Sequence, residues 1–122
     1  MFTTSLLNIN AGICFSNEYQ SPLLDGNYDD FVIPELWAKS VLIFNLDDDV
    51  NLRGIDATNV KAWQWWLVIN NSEEKLTLEL NKNSSLANNR FDGEKKIDVK
   101  KNTPTLLIRN GLTNKFIAFK AS

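Results

Sequence analysis

Residues able to do chemistry are few in this chain, and the most suggestive group is the run Asp47, Asp48 and Asp49. Oxygen-rich loops bind hard cations such as calcium. The helix-loop-helix type of calcium loop needs acids at alternate positions, a central glycine and a distal glutamate, and none of these follows Asp47. The run suits a charged turn that ends a strand and blocks edge-to-edge pairing, so no metal is expected there. Glu73 and Glu74 are adjacent turn acids without a flanking aromatic pocket, a pattern of solvated surface. Histidine is absent, which removes the commonest general base and the commonest metal ligand. The single cysteine, Cys14, cannot form an intrachain disulfide, has no histidine to activate it, and reads as a small buried hydrophobe. Glycine-rich phosphate loops, Cys/His metal spacings and Ser/His/Asp arrangements are also lacking. The expectation is a non-enzymatic protein with no catalytic residue and no cofactor.

The elements that would position any site are strands. Residues 62–80 hold three of the four tryptophans and read as two strands with a turn between them. Trp63, Trp65, Leu67 and Ile69 share one parity, and Gln64, Trp66, Val68 and Asn70 the other, so this strand is apolar on one face and mostly apolar on the second. Leu76, Leu78 and Leu80 alternate with Lys75, Thr77 and Glu79, as in a strand with one wet face. Asn70-Asn71-Ser72 has turn chemistry, because asparagine tolerates left-handed angles and bonds its own main chain. Trp65 and Trp66 must point to opposite faces. Core packing, a protein interface and a sugar-stacking platform all use exposed or buried tryptophan; here Trp63 and Trp65 read as core and Trp66 as the interface residue.

With 122 residues, 43% of them hydrophobic, four Trp and seven Phe, the chain can bury a core without staples. No apolar run is long enough to span a membrane as a helix, and no basic n-region precedes the first apolar residues, so synthesis and assembly in a cytoplasm are expected. The net charge of −2 is unevenly spread. Residues 1–60 carry nine acids against Lys39 and Arg53, while residues 61–122 carry eleven bases against six acids. The bases are scattered and interleaved with acids, which suits solvated outer faces better than a nucleic-acid stripe. Self-complementarity, an acidic arm of one copy lying on the basic sheet of the next, is the other reading.

Along the chain, residues 1–36 have five acids, no base, Pro22 and Pro34, and short apolar clusters (Leu6, Leu7 and Ile9; Ile13 and Phe15) without sustained period. Such a segment suits either a docking arm or an edge strand with a meandering loop. A strand is expected over 41–46, ended by the three aspartates, and another over 50–55. Residues 81–93 form a polar loop, long for a hairpin and therefore a candidate for contact. A short strand over 96–100 follows, then Asn110-Gly111-Leu112-Thr113-Asn114 between two apolar runs, the clearest hairpin signal present. About seven short strands at this spacing predict an all-β fold, an antiparallel β-sandwich of jelly-roll-like form with an extended N-terminal arm. The expected division is an arm over 1–36 and a sandwich domain over 37–122.

Between residues 51 and 119 the order of features resembles a β-sandwich module of tailed-phage virion proteins, found in tail-fibre, head-fibre and capsid-decoration contexts. The resembling elements are Leu-Arg-Gly-Ile-Asp-Ala at 52–57, Val-Ile-Asn-Asn-Ser at 68–72, Leu-Thr-Leu at 76–78, Ser-Ser-Leu-Ala-Asn-Asn-Arg-Phe at 84–91 and Ile-Asp-Val-Lys-Lys-Asn-Thr-Pro-Thr-Leu-Leu-Ile-Arg-Asn at 97–110, before a last aromatic strand. Two features depart from it: Asn59-Val60-Lys61 replaces the usual Asp-Gly, and Phe116 or Phe119 replaces the closing Trp. The resemblance implies a virion structural protein, a capsid decoration, auxiliary or fibre protein, that self-associates as a trimer and attaches to the particle through its N-terminal arm. Its partners would be other virion proteins, the major capsid or tail proteins, with neither nucleic acid nor membrane involved. It would be located in the virion after assembly in the host bacterial cytoplasm. Interface residues on this reading are Leu6, Leu7, Ile9, Ile13, Phe15 and Trp66, and the outward loop presents Asn83, Ser84, Ser85, Asn88, Asn89 and Arg90. The alternative is a carbohydrate- or receptor-binding β-sandwich module.

Overall fold

The structure, a computed structural model, describes residues 17–120. It is all-β, with eight strands: β1 (Glu18–Tyr28), β2 (Val41–Leu52), β3 (Trp65–Asn70), β4 (Leu76–Leu78), β5 (Phe91–Asp92), β6 (Ile97–Val99), β7 (Thr105–Asn110) and β8 (Lys115–Lys120). Among the described residues no helix is long and apolar enough to cross a membrane.

The sheet is mixed, which corrects the expected antiparallel sandwich. β2 is the centre. It pairs in parallel with β1 on one side, Glu18 beside Val41 and Tyr28 beside Leu52. On its other side it pairs in parallel with β3, Val41 beside Leu67, and with β4, Val50 beside Leu76. The physical reason lies in the connectors. Residues 29–40 and 53–64 lead from one of these strands to the next, and each is about a dozen residues long, the length a crossover to a parallel neighbour requires. Alternating apolar residues report a half-buried strand but carry no information about the direction of its neighbour. The parallel lines read as coils of a short β-solenoid, and the extra bridge from Phe31 to Ile55 continues the same stacking beyond the strand ends. Asn51 Nδ2 donates to Asn27 Oδ1 at 2.8 Å and Asn71 Nδ2 to Asn45 Oδ1 at 3.0 Å, so equivalent amides stack between coils.

Two expected breaks are outward bows. β2 runs through Asp47, Asp48 and Asp49, which are exposed within the strand, instead of ending there. Asn70-Asn71-Ser72 is not a hairpin turn, since β3 and β4 run the same way along β2. Asn70 is buried at this bow, and its amide nitrogen donates to the carbonyls of Glu74 (2.6 Å) and Val99 (2.8 Å), while its oxygen accepts from the Ser72 hydroxyl at 2.7 Å. A buried amide so satisfied fixes the bow; left unpaired it would be costly.

Beyond the coils, β3 pairs antiparallel with β7, β7 forms the expected hairpin with β8, and β8 pairs in parallel with β5. A bridge from Leu80 to Phe91 brings this chain of strands back to the end of β4, while β6 pairs antiparallel with β4 itself. The core fills the enclosed space with Leu42, Phe44, Leu52, Trp66, Leu78, Phe91, Leu107 and Phe116. Trp66 is fully buried, its ring 5.7 Å from that of Phe116 and its indole N–H donating to the Leu36 carbonyl at 3.1 Å. Burying it contributes up to about 4–6 kcal/mol.

Of the segment expected as an arm, Glu18–Tyr28 is β1 and Phe31 bridges to Ile55, so this part is built into the sheet. Leu6, Leu7, Ile9, Ile13, Phe15 and Cys14 lie outside the described residues.

Candidate functional site

Two features stand out, a cleft beside the polar loop and an apolar sheet face. The loop at 81–93 is tied to the coil ends by short bonds. Asp30 is the hub: its carboxylate accepts from the Leu86 N–H and the Asn89 amide, both at 2.8 Å, and its own N–H donates to Ser85 Oγ at 3.1 Å. Asn89 Oδ1 accepts from the Ala57 N–H at 3.0 Å, and the Ser84 hydroxyl donates to Asp29 at 2.6 Å. Gly54 is required here, because a Cβ at that position would lie 2.5 Å from Ser85 Oγ.

Of the loop residues expected to face outward, Asn83, Ser84 and Asn88 are exposed and Arg90 is half-buried. Ser85 and Asn89 are corrections. They are 2% and 6% exposed because their side chains anchor the loop to the coils.

Behind the loop lies a cleft of about 510 Å³ lined by residues 56–58, 86–89 and Arg109. No motif in the sequence marks Arg109. It is 7% exposed, its Nη1 donates to the Asn88 carbonyl at 2.6 Å, and its guanidinium carbon lies 4.8 Å from the centre of the Phe116 ring. The ion pairs among the described residues are Arg53 with Asp29, Lys82 with Glu79 and Lys101 with Glu73; none involves Arg109. Burial holds its pKa below the ordinary arginine value. The available signal was a basic residue at the inward parity of an apolar strand, Thr-Leu-Leu-Ile-Arg-Asn, where a cation needs a local reason to be.

The second feature is the outer face of β2, β3, β7 and β8. Trp65, Leu67 and Ile69 alternate with buried Trp66, Val68 and Asn70. Ile43 sits beside Ile69, Leu67 beside Leu106, Trp65 beside Ile108, Ile108 beside Ile117, and Leu106 beside Phe119. Eight large apolar side chains thus share one sheet face, with Trp65 44% and Phe119 53% exposed and the others half-buried. At one end Trp63, 56% exposed and at a left-handed φ of 68°, lies against Gly111, where a Cβ would come 2.9 Å from its indole nitrogen.

This reverses the expected tryptophan roles. Trp66, expected at an interface, is sealed in the core, and Trp63 and Trp65, expected in the core, are exposed. The strand is apolar on both parities, so periodicity gave no sign; the choice is made by the cross-strand partners, the buried Leu107 opposite Trp66 and the half-buried Ile108 opposite Trp65.

The aspartate run acquires a partner from the next coil. Carboxylate oxygens of Asp48, Asp49 and Glu74 lie within 4.8 Å of one another, all exposed. One Asp49 oxygen is held by the Lys75 N–H at 2.8 Å, and Glu73 points elsewhere, to Lys101 Nζ at 2.7 Å. An exposed acidic group of this kind is no argument for a metal. In comparisons with known proteins, no family model, no curated protein and no solved structure matches this chain.

Proposed function

We propose that this chain is a non-enzymatic virion structural protein of the capsid-decoration or fibre type, which self-associates as a trimer and joins the particle through the segment ahead of β1. The observation that carries the self-association is the continuous apolar face of β2, β3, β7 and β8. Four strands about 4.8 Å apart and six residues of about 3.3 Å each make a face of about 300–400 Å². A face of that size matches the largest apolar patch of a typical soluble monomer, about 300–600 Å², a patch that is often functional. A specific interface uses about 800 Å² per partner, so this face would form its centre, with Trp63, Leu112 and their loops around it.

The test is the mass in solution by light scattering. The expected value is about three times the 13.9 kDa chain, falling to the single chain in Trp65→Glu and Phe119→Glu with the thermal unfolding transition retained. A wild-type protein that stays at one chain mass at high concentration overturns self-association. Copurification with virions, and density for the protein on them, tests the virion role; absence from purified particles overturns it. The second reading is glycan binding, favoured by the exposed rings of Trp63 and Trp65. Glycan capture abolished by Trp65→Ala, with mass unchanged, would support it.

A further inference from the structure

We propose that the cleft beside the 81–93 loop binds a hydroxylated carboxylate, an acidic sugar unit such as a uronic acid, with Arg109 receiving the carboxylate. Arg109 is 7% exposed, and among the described residues its only side-chain hydrogen bond is the one to the Asn88 carbonyl. No nitrogen of this guanidinium is both sealed and without a partner. The N–H groups not given to Asn88 thus keep some contact with solvent, and on this proposal they are the donors that Arg109 offers to the cleft it lines. A planar fork of donors in such a position matches a carboxylate, which can accept two parallel N–H bonds. Arg109 has no ion-pair partner among the described residues, so an anionic ligand would complete a pair there, while the Asp56 carboxylate in the same lining would serve the ligand's hydroxyls.

The remainder of the lining selects hydroxyls. Asp56 Oδ1 is occupied by the Thr58 N–H (3.1 Å) and hydroxyl (2.7 Å), which leaves its second oxygen as an acceptor. The exposed Asn88 side-chain amide adds a donor and an acceptor at the mouth. Leu86, 69% exposed, offers an apolar surface of the kind the C–H face of a pyranose covers. The cleft volume of about 510 Å³ lies in the range of small-molecule sites, about 300–1,000 Å³. Because β7 turns Arg109 to the side opposite Leu106 and Ile108, this site is independent of the apolar face and of the self-association reading.

The experiment is NMR titration of the full chain with glucuronic acid, glucose and acetate, following the Arg109 side-chain N–H and the Asn88 amide. Saturable shifts are expected at both groups with glucuronate, at least about tenfold weaker affinity for acetate, which lacks hydroxyl contacts, and none at Arg109 with glucose. Asn88→Asp, at an exposed position, is expected to weaken glucuronate by about tenfold through like-charge repulsion at the mouth. Arg109→Lys keeps the charge but loses the fork and is expected to weaken it as well. No saturable shift with glucuronate overturns the site. Equal affinity for acetate overturns the sugar class, and unchanged affinity in a folded Arg109→Lys or in Asn88→Asp overturns the assignment to this cleft.

Discussion

Gly54→Ala is the most exacting test of how the polar loop is fastened to the coils. The added methyl would lie 2.5 Å from Ser85 Oγ, 2.7 Å from Ser85 Cβ and 2.9 Å from the Asn89 carbonyl oxygen. None of these groups can retreat freely. Ser85 is 2% exposed and its hydroxyl accepts from the Asp30 N–H at 3.1 Å; the Asn89 carbonyl accepts from the Ile55 N–H at 2.9 Å. Gly54 is itself held by the Phe31 N–H, which donates to its carbonyl at 2.9 Å. Overpacking of this kind costs about 1–3 kcal/mol, and losing the Asp30–Ser85 bond costs about 1 kcal/mol more. The total of about 2–4 kcal/mol is a large share of the roughly 6–18 kcal/mol that about 0.05–0.15 kcal/mol per residue gives a chain of this length. In urea, with a slope of about 1–3 kcal/mol/M, the midpoint should fall by about 0.7–4 M. Tryptophan fluorescence reads the transition, with buried Trp66 as the reporter. Ser85→Gly removes the nearest two clashing atoms, so the double variant should be more stable than the sum of the single losses predicts, by about 1–2 kcal/mol. A Gly54→Ala protein within about 0.5 kcal/mol of wild type, or strict additivity in the double variant, would refute the reasoning.

Asn70→Ala should cost about 2–4 kcal/mol in chemical denaturation, because it leaves the Val99 and Glu74 carbonyls without their donor at a buried bow. Trp66→Phe should cost about 1–3 kcal/mol through lost volume and the lost indole bond to Leu36, an outcome incompatible with Trp66 lying at a surface interface. The Asn81 amide, then the Gly93 N–H, hold the Asp92 carboxyl below the ordinary carboxylate range. A carboxyl whose folded pKa is depressed contributes stability above its unfolded value and loses it as the pH falls through the folded one. Asn81→Ala should move the Asp92 titration, followed by carboxyl-carbon NMR, upward toward the usual range.

Much of the secondary structure was legible in the residues. Alternation over 105–109 and 115–120 around Asn110-Gly111 marked the β7–β8 hairpin, and Ile97 and Val99 flanking Asp98 marked β6. Both are local signals, period two plus turn chemistry, and local signals survive translation into structure. The acidic run at 47–49 misled because three exposed acids look the same whether they end a strand or bow out of one; the coils on either side of Asp47–Asp49 hold β2 together there. Asn70-Asn71-Ser72 misled for the same reason. Its side-chain bonds to the backbone are those of a turn, yet they close a bow between two collinear strands. The cleft was half legible: the length of the 81–93 loop drew attention to it, but Arg109 stands 21 residues from Asn88 in sequence and meets it only through the stacking of β8 between β5 and β7.

From its residues alone this protein is an all-β chain with a definite set of strand positions, one unmistakable hairpin and no histidine chemistry, because strand periodicity, turn preference and side-chain inventory are properties of short stretches. The tertiary structure decided the direction in which the strands stack, which tryptophans are sealed, and which side chains share the cleft. Those depend on the partner each strand meets across the sheet. Trp65 and Trp66 are neighbours of the same residue type with opposite fates, and only Ile108 and Leu107 opposite them tell the two apart.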